Sequence, residues 1–233
     1  MLAQILAALA LAIWLYLLIG RGGFWLSSQR DDALLPAPTV WPKVTVVIPA
    51  RDEADGIGAC IGSLLRQDYA GEWSIVLVDD GSSDGTAAIA REAAEAPSPT
   101  LPGAPEREGN LLEVVTGRPL PAGWTGKLWA LRQGIETAER GAPDFLLLSD
   151  ADIVYAPDVL SSLVARATAG GLVLTSLMVK LRCESLAERA LIPAFIFFFE
   201  MLYPFGWVNA PQAATAGAAR GLAEARNRHP GAR

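Results

Sequence analysis

The sequence predicts an α/β fold: a mostly parallel sheet with flanking helices, preceded by an N-terminal transmembrane helix. Short aliphatic runs alternate along the chain with segments whose apolar residues recur at helical spacing. Such alternation is typical of parallel strands that are joined through helices by right-handed crossovers. The first 19 residues carry no charged side chain, and roughly 20 apolar residues suffice to cross a bilayer as a helix.

Local patterns predict five strands and the helices between them. The predicted strands cover residues 44–48, 75–78, 111–115, 145–149 and 172–179. Asp84 is a predicted N-cap for the helix after the second strand. Leu128, Leu131 and Ile135 line one face of a predicted helix that ends near Gly141, before the fourth strand. Residues 97–109 are rich in proline, which predicts an exposed loop.

Composition divides the 233 residues into segments of different character. The chain is 52% hydrophobic, more than a soluble domain of this size needs, and the excess lies in residues 1–19 and 191–207. The predicted organisation is a transmembrane anchor at 1–20, a linker at 21–43, an α/β domain at 44–190, a hydrophobic interfacial or membrane-associated segment at 191–208 and an atypical, disordered tail at 209–233.

Residues 1–20 predict an uncleaved anchor. A cleavable signal peptide would have a charged start and a small-residue cleavage site, and this segment has neither. Arg21 and Arg30 follow the apolar stretch, while no basic side chain precedes it. The positive-inside rule therefore predicts an anchor in the inner (cytoplasmic) membrane of the cell, with the domain on the cytoplasmic side.

The second apolar stretch, residues 191–207, differs from the first because it contains Pro193, Glu200 and Pro204. These residues disfavour a regular membrane span, so we expect an amphipathic or re-entrant helix in the membrane interface. A hydrophobic core helix of a larger domain is the alternative interpretation.

Charge and cysteine content exclude several classes of function. The formal net charge is −6 at pH 7, whereas a nucleic-acid-binding protein normally carries a basic surface. The two cysteines, Cys60 and Cys183, lie far apart and without metal-ligand spacing. They are expected to be small hydrophobic residues in a reducing compartment.

Two carboxylate clusters follow two of the predicted strands. Asp79-Asp80 comes directly after the second strand, and Asp150-Ala151-Asp152 directly after the fourth. Ligands of open α/β sheets bind beyond the carboxyl ends of the strands, so we expect both clusters in one crevice. Carboxylates there can hold Mg²⁺ or Mn²⁺ together with ligand phosphates, and a metal would assist a departing diphosphate.

Two further segments complete the predicted site. The polar loop Pro49-Ala50-Arg51-Asp52-Glu53 follows the first strand and can meet a base and a ribose. Lys127 stands at the start of a predicted helix, from which it can reach a diphosphate. Each feature alone is common in turns and solvated loops. Together, in this order and each after a strand, they predict a site for a metal-bound, phosphate-bearing ligand.

The glycines of Gly56-x-Gly58-x-x-x-Gly62 suggest a dinucleotide-binding turn, because they follow one strand and Asp79 ends the next. A pyrophosphate-binding turn, however, follows its strand immediately. Here residues 49–55 intervene, which argues against a membrane-anchored dehydrogenase.

These motifs together resemble the family 2 glycosyltransferases, whose fold is the Rossmann-like GT-A type. The resemblance runs through residues 44–53, 78–86, 126–134 and 147–152. The stretch 123–130 and the Phe-rich segment ending in Leu202-Tyr203-Pro204-Phe205 are more similar still to the hopanoid-biosynthesis-associated branch. Members of that branch resemble ceramide glucosyltransferases in carrying an N-terminal anchor and further C-terminal membrane segments.

The resemblance implies a UDP- or GDP-linked sugar donor and a lipid acceptor. Pro49, Ala50, Arg51, Glu53, Asp79 and Asp80 would surround the nucleoside, Lys127 and Asp150 would meet the diphosphate, and Asp152 with Asp150 would hold a divalent metal ion. Transfer would go to a lipid hydroxyl at the membrane, with inversion at the anomeric carbon and a carboxylate acting as base.

The chain departs from the family pattern in its last part. The family carries its catalytic base, often in a Glu-Asp pair, well after the Asp-x-Asp segment. Here residues 213–233 are rich in Ala and Arg, show no apolar periodicity long enough for a strand, and hold Glu224 as their only carboxylate side chain. This change of composition predicts a truncated or frame-shifted product without the base.

Two alternative functions follow from the sequence. One is a catalytically incompetent remnant that still binds a nucleotide sugar. The other is a nucleotidyltransferase, but that class favours a Gly-rich loop with a basic residue after the first strand, and residues 49–53 contain no glycine.

Overall fold

The computed structural model describes residues 1–28, 30, 35–96, 111–181 and 183–209, and the backbone of 222–225. It divides the chain into two units, one formed by residues 1–33 and 180–218 and the other by 34–179 and 219–233. The loop predicted at 97–109 and most of the tail at 209–233 lie outside the described residues.

The second unit is built on a six-stranded sheet in the order β3-β2-β1-β4-β6-β5. The strands are β1 (Val44–Ala50), β2 (Trp73–Asp79), β3 (Leu112–Thr116), β4 (Phe145–Leu148), β5 (Leu174–Ser176) and β6 (Leu222–Ala225). Strands β1 to β4 pair in parallel, while β6 pairs antiparallel with both β4 and β5. The predicted mostly parallel sheet is confirmed.

Helices cover both faces of this sheet. They are α2 (Ala54–Leu65), α3 (Thr86–Glu95), α4 (Gly126–Ala138) and α5 (Val159–Gly170). One core cluster packs α2, α3 and α5 against one face, and a second packs α4 against the other. All seven residues of β1 are buried, as expected of a central parallel strand that is covered on both sides.

The structure differs from the local predictions at three places. The strand predicted at 172–179 is shorter, Leu174–Ser176. The expectation of no strand in the last part of the chain is wrong, because β6 pairs there with β4 and β5. In α4, Leu131 and Ile135 pack against the core but Leu128 is 56% exposed. The closest contacts of α4 are instead made by small residues.

Gly134 shows why small residues face the sheet in α4. A Cβ atom at this position would overlap Val47 Cγ1 and lie 3.1 Å from Val78 Cγ2. The absence of a side chain lets the helix axis approach β1 and β2. Because α4 begins at the site described below, this approach also fixes the height of its first turn above the sheet.

The first unit contains two apolar helices. Helix α1 (Leu2–Leu15) continues as a π-helical turn, Tyr16–Gly20, and has no buried residue. Helix α6 (Leu186–Leu202) is continuous through Pro193 and is followed by the short α7 (Phe205–Val208). By length and composition, Leu2–Gly20 and Leu186–Val208 are each apolar enough to cross a membrane. The predicted N-terminal apolar helix is thus present.

Gly134→Ala is expected to destabilise the fold by about 1–3 kcal/mol, because the added methyl group overpacks the interface between α4 and β1. Gly141→Ala is the matched control, since a Cβ atom there meets nothing within 4 Å. Urea unfolding of both variants measures the difference. Equal stability of the two variants would contradict the packing described for Gly134.

Candidate donor-binding site

The carboxyl ends of three parallel strands meet at one edge of the sheet. Ala50, at the end of β1, lies opposite Asp79 of β2, and Val47 lies opposite Leu148 of β4. The backbone continues this pairing one residue beyond each neighbouring strand. Asp80 N–H donates to the Ala50 carbonyl at 2.9 Å, and Ser149 N–H donates to the Val47 carbonyl at 3.1 Å. The loops that follow the three strands therefore start side by side.

These loops and the first turn of α4 enclose a cavity of about 260 Å³. Its lining includes eight of the nine predicted site residues: Pro49, Ala50, Arg51, Glu53, Asp80, Lys127, Asp150 and Asp152. Gly126, Ala130 and Ala151 complete it. Asp79 is not among the described lining residues. Its Oδ1 accepts a 3.0 Å hydrogen bond from Ser82 N–H, so the side chain closes the turn after β2.

Two ion pairs cross this cavity. Lys127 Nζ donates to Asp150 Oδ1, which joins the first turn of α4 to the loop after β4. Arg51 Nη1 lies 3.7 Å from Asp80 Oδ2 and joins the loops after β1 and β2. In both pairs the base is more than half exposed and the carboxylate mostly buried. Each cation can therefore turn toward an anionic ligand without leaving the cavity mouth.

Four carboxylate residues line the cavity: Glu53, Asp80, Asp150 and Asp152. Partial burial raises the pKa of Glu53 above its usual value, and the charges of Asp152 and Asp150 raise it further. Repulsion of the Glu53 charge by its neighbours favours a cation at the site. Among the described residues no three ligating side chains form a ready metal cluster. Mg²⁺ commonly needs only one or two carboxylates when ligand phosphates and water complete its shell, so the donor set fits.

Helix α2 packs directly beneath the Asp150–Asp152 segment. A Cβ atom on Gly56 would lie 3.3 Å from Asp152 Cα. One turn later, the thiol of Cys60 donates to the Asp150 carbonyl at 3.8 Å. Burial raises the pKa of this thiol to about 12, so it stays protonated. The glycine pattern that suggests a dinucleotide turn thus serves close packing within a helix.

A buried polar network that the sequence did not predict fixes the backbone after Asp152. Ser63 Oγ accepts from Tyr155 N–H at 3.0 Å, and the Tyr155 hydroxyl pairs with Ser149 Oγ. Gln67 Nε2 donates to the Ala156 carbonyl at 2.8 Å, and its Oε1 accepts from Leu160 N–H at 2.9 Å. The signal in the sequence that could have indicated this network is the pair Ser63 and Gln67, two polar residues four positions apart at the end of an apolar helix.

A second set of hydrogen bonds joins the loops after β1 and β2. Asp52, at φ 52°, accepts at Oδ1 from Ser83 N–H at 2.8 Å. Asp84 Oδ2 accepts from Ala54 N–H at 2.9 Å, and Asp84 Oδ1 accepts from Thr86 N–H at 3.0 Å. Asp84 thus binds the first residue of α3 and also the first residue of α2. The predicted N-cap is wrong by one residue, because Gly85 and not Asp84 occupies the N-cap position of α3. The hydrogen bond from the Thr86 hydroxyl is the main reason that the pKa of Asp84 is lowered.

A larger cavity, about 560 Å³, lies at the opposite edge of the sheet. Its charged lining includes Lys43, Glu72 and Arg140, and none of the predicted site residues reaches it. Ligands of open α/β sheets bind beyond the carboxyl ends of the strands, whereas this cavity lies at the amino ends. The smaller cavity is therefore the candidate site.

Comparison with known proteins gives the family. Residues 45–225 match the family described as "Glycosyl transferase family 2". The match covers well over half of the chain, so the chain belongs to glycosyltransferase family 2.

Curated relatives cover the same region. An N-acetylglucosaminyltransferase of Rhizobium leguminosarum bv. viciae is 34% identical over 52% of this chain and 24% of its own length. An undecaprenyl-phosphate 4-deoxy-4-formamido-L-arabinose transferase of Pectobacterium carotovorum is 30% identical over 54% of this chain and 34% of its own. The aligned region thus spans about a quarter to a third of each of these relatives.

A solved structure confirms the fold. The mannosyltransferase PcManGT of Pyrobaculum calidifontis, solved in complex with GDP-Man and Mn²⁺, superposes with a TM-score of 0.60 at 26% identity. The superposition covers 97% of this chain and 56% of that protein. The predicted GT-A-type fold is confirmed, and the predicted membership of glycosyltransferase family 2 is confirmed by the family match.

Glu53→Gln is expected to raise the melting temperature of the metal-free protein at neutral pH. The pKa of Glu53 is raised on folding, so its charged form is less favourable in the folded than in the unfolded chain. This penalty is complete above the raised pKa and disappears below the usual value of 4.5. Calorimetry across pH measures the gain, with exposed Glu113→Gln as the control. A gain that persists at low pH would contradict a charge effect.

Proposed function

We propose that this chain provides the donor-binding domain of a membrane-anchored, inverting glycosyltransferase that uses a UDP- or GDP-linked sugar. The observation that supports it best is the cavity at the carboxyl ends of β1, β2 and β4. It combines the cations Lys127 and Arg51 with the carboxylates Asp150 and Asp152. A nucleoside diphosphate needs both kinds of group.

The donor would lie across the three loops. Pro49, Ala50 and Asp80 would surround the nucleoside, with the Asp80 carboxylate accepting from a base imide or a ribose hydroxyl. The diphosphate would lie between the Lys127 ammonium and the Asp150–Asp152 segment. In the free protein Lys127 pairs with Asp150. Donor binding would therefore exchange one anionic partner of Lys127 for another.

Asp152, with Asp150, would hold Mg²⁺ or Mn²⁺. Asp152 is an exposed residue of the cavity lining. The presence of GDP-Man and Mn²⁺ in the structure of PcManGT supports this donor class. When bound, the metal would supply electrophilic assistance to the leaving diphosphate.

Transfer would be a single displacement at the anomeric carbon. The acceptor oxygen forms the new bond to that carbon while the bond to the diphosphate oxygen breaks, and the nucleoside diphosphate leaves with the bonding electrons. A carboxylate takes the proton of the acceptor hydroxyl. We assign no described residue as this base, which the family carries after the Asp-x-Asp segment.

The proposed acceptor is a lipid hydroxyl at the cytoplasmic face of the inner membrane. Two observations support a lipid: the fully exposed apolar helix α1 and the similarity to a relative whose name includes undecaprenyl phosphate. Arg21 and Arg30, after α1, support the cytoplasmic side. A hopanoid acceptor is the narrower proposal, supported by the resemblance of residues 123–130 and 202–205 to that branch.

Asp152→Asn is expected to abolish metal-dependent donor binding. Isothermal titration of the detergent-solubilised chain with UDP and with GDP, each with and without Mn²⁺, measures it. Asp55→Asn removes the same charge from an exposed residue in the first turn of α2 and should bind like the wild type. Metal-dependent binding that survives in Asp152→Asn would contradict the assigned metal site. Binding without any sugar transfer would favour the remnant over the enzyme.

Lys127→Ala is expected to weaken binding of the nucleoside diphosphate about tenfold to a hundredfold, as loss of a charged hydrogen bond typically costs about 1.5–3 kcal/mol. Nucleoside binding, without the diphosphate, should change little. Lys43→Ala, at the opposite edge of the sheet, is the matched control. An equal loss of affinity for the nucleoside and for the nucleoside diphosphate would contradict a contact between Lys127 and the phosphates.

A further inference from the structure

We infer that α6 does not cross the membrane but lies in the same membrane surface at which α1 ends, with Arg21 fixing its C-terminal end there. By length and composition alone, α6 with α7 is apolar enough to span. The inference rests on the proposed anchor α1. The contacts within the first unit, the lengths of two connecting segments and the face of α6 that carries its large apolar side chains support it.

Arg21, the first residue after the apolar helix, binds the end of α6. Its Nε donates to the Met201 carbonyl at 2.8 Å and its Nη2 to the Leu202 carbonyl at 3.1 Å. These are last-turn carbonyls, which lack intrahelical partners and carry the negative end of the helix dipole. The guanidinium also lies 5.3 Å from the centre of the Trp207 ring. The end of α6 is therefore level with the end of α1.

Two neighbouring contacts repeat this pairing. Ser27 Oγ donates to Glu200 Oε2 at 3.0 Å. The ring of Phe24, which is only 5% exposed, packs edge-on against Phe197 with 5.1 Å between centroids. The segment that leaves α1 is thus bound to the last two turns of α6 by a cation, a hydroxyl and an aromatic ring.

The chain also fixes the side on which α6 starts. Residues 21–43 hold no second apolar stretch, so α1 ends on the side that carries the α/β domain. Only residues 180–185 separate that domain from α6, and six residues extend to about 20 Å at most. The hydrocarbon core is about 30 Å thick, and these six include Lys180, Arg182 and Glu184. Both ends of α6 therefore lie on the side of the membrane at which α1 ends.

The surface of α6 is suited to a membrane interface. Its N-terminal end carries a capping box in which Ser185 and Glu188 satisfy each other's backbone N–H groups. Four large exposed apolar residues follow at positions i, i+4, i+7 and i+11, which places them on one face: Leu191, Phe195, Phe198 and Leu202. At 100° per residue, Arg189 and Glu200 lie on the opposite face.

Pro193 agrees with this position. A proline inside a helix leaves the carbonyl four residues earlier, here that of Arg189, without its helical donor. In hydrocarbon an unsatisfied carbonyl costs several kcal/mol, whereas at the interface water reaches it. The proposed partner of α6 is one lipid leaflet, which the apolar face formed by Leu191, Phe195, Phe198 and Leu202 would contact. A lipid acceptor would lie in the same leaflet.

Thiol labelling tests the inference in the full chain. Cys183 is exposed just before α6, and Cys60 is buried. An impermeant maleimide is applied to intact spheroplasts and to inverted membrane vesicles that carry either the native chain or Cys183→Ser with Asn209→Cys. We expect the maleimide to label Cys183 and the thiol at position 209 from the same side of the membrane. Both thiols should therefore react in one of the two preparations and neither in the other. Reaction in opposite preparations would show that α6 crosses and would overturn the inference. Cys183→Ser alone is the control for background labelling.

Carbonate extraction distinguishes an error in the position of α6 from an error in the proposed membrane anchor α1. Release of the chain by carbonate would overturn the proposed anchor and the inference with it, whereas opposite labelling of a carbonate-resistant chain overturns the inference alone. Brominated acyl chains provide a second readout. A fluorophore on Phe198→Cys should be quenched and one on Arg189→Cys much less, both in the Cys183→Ser background. Equal quenching at both positions would contradict a helix with one lipid-facing side.

Discussion

The parallel pairing of β1 with both β2 and β4 is the constraint on which the site depends. It brings three loops to the same edge of the sheet, and the hydrogen bonds from Asp80 and Ser149 to β1 carbonyls extend the pairing to the first residues of two loops. Gly134 lets α4 approach the other face of β1. The first turn of α4, and Lys127 with it, is thereby placed over the strand ends. The positions of the site residues therefore follow from the strand pairing and the packing of α4, and not only from the conformations of the individual loops.

Bringing Glu53 close to Asp150 and Asp152 has an electrostatic cost, because burial and the charges of the two aspartates disfavour the charged form of Glu53. The fold offsets part of this cost with Lys127, which pairs with Asp150. Cys60, Ser63 and Gln67 hold the backbone of the Asp150–Asp152 segment and of the residues after it from below. The remaining repulsion acts between Glu53 and the two aspartates, and a bound divalent cation would relieve it. Stability is thus given up at the proposed donor site, where a charged ligand would need these groups.

The parts of the fold that depend on local pattern could be predicted from the sequence. Strands β1, β2 and β4 are short apolar runs, and the carboxylates after β2 and β4 could be placed at one edge by topology. The parts that depend on distant partners could not. Strand β6 has no alternation of its own and pairs with β4 across more than 70 residues of chain. Leu128 has the spacing of a core residue but lies exposed, because Ala130 and Gly134 make the close approach. Ser63 and Gln67 look like ordinary helix-end polar residues until Tyr155 and Leu160 are placed against them. The contact of Arg21 with α6 links residues 180 positions apart.

A crystal structure of the chain with UDP or GDP and Mn²⁺ tests the central claim most directly, because the two cavities lie at opposite edges of the sheet. We expect anomalous density for Mn²⁺ beside Asp152 and the diphosphate within hydrogen-bonding distance of Lys127 Nζ. Nucleotide bound in the cavity lined by Lys43, Glu72 and Arg140 instead would contradict the assignment of the donor site to the carboxyl ends of the strands.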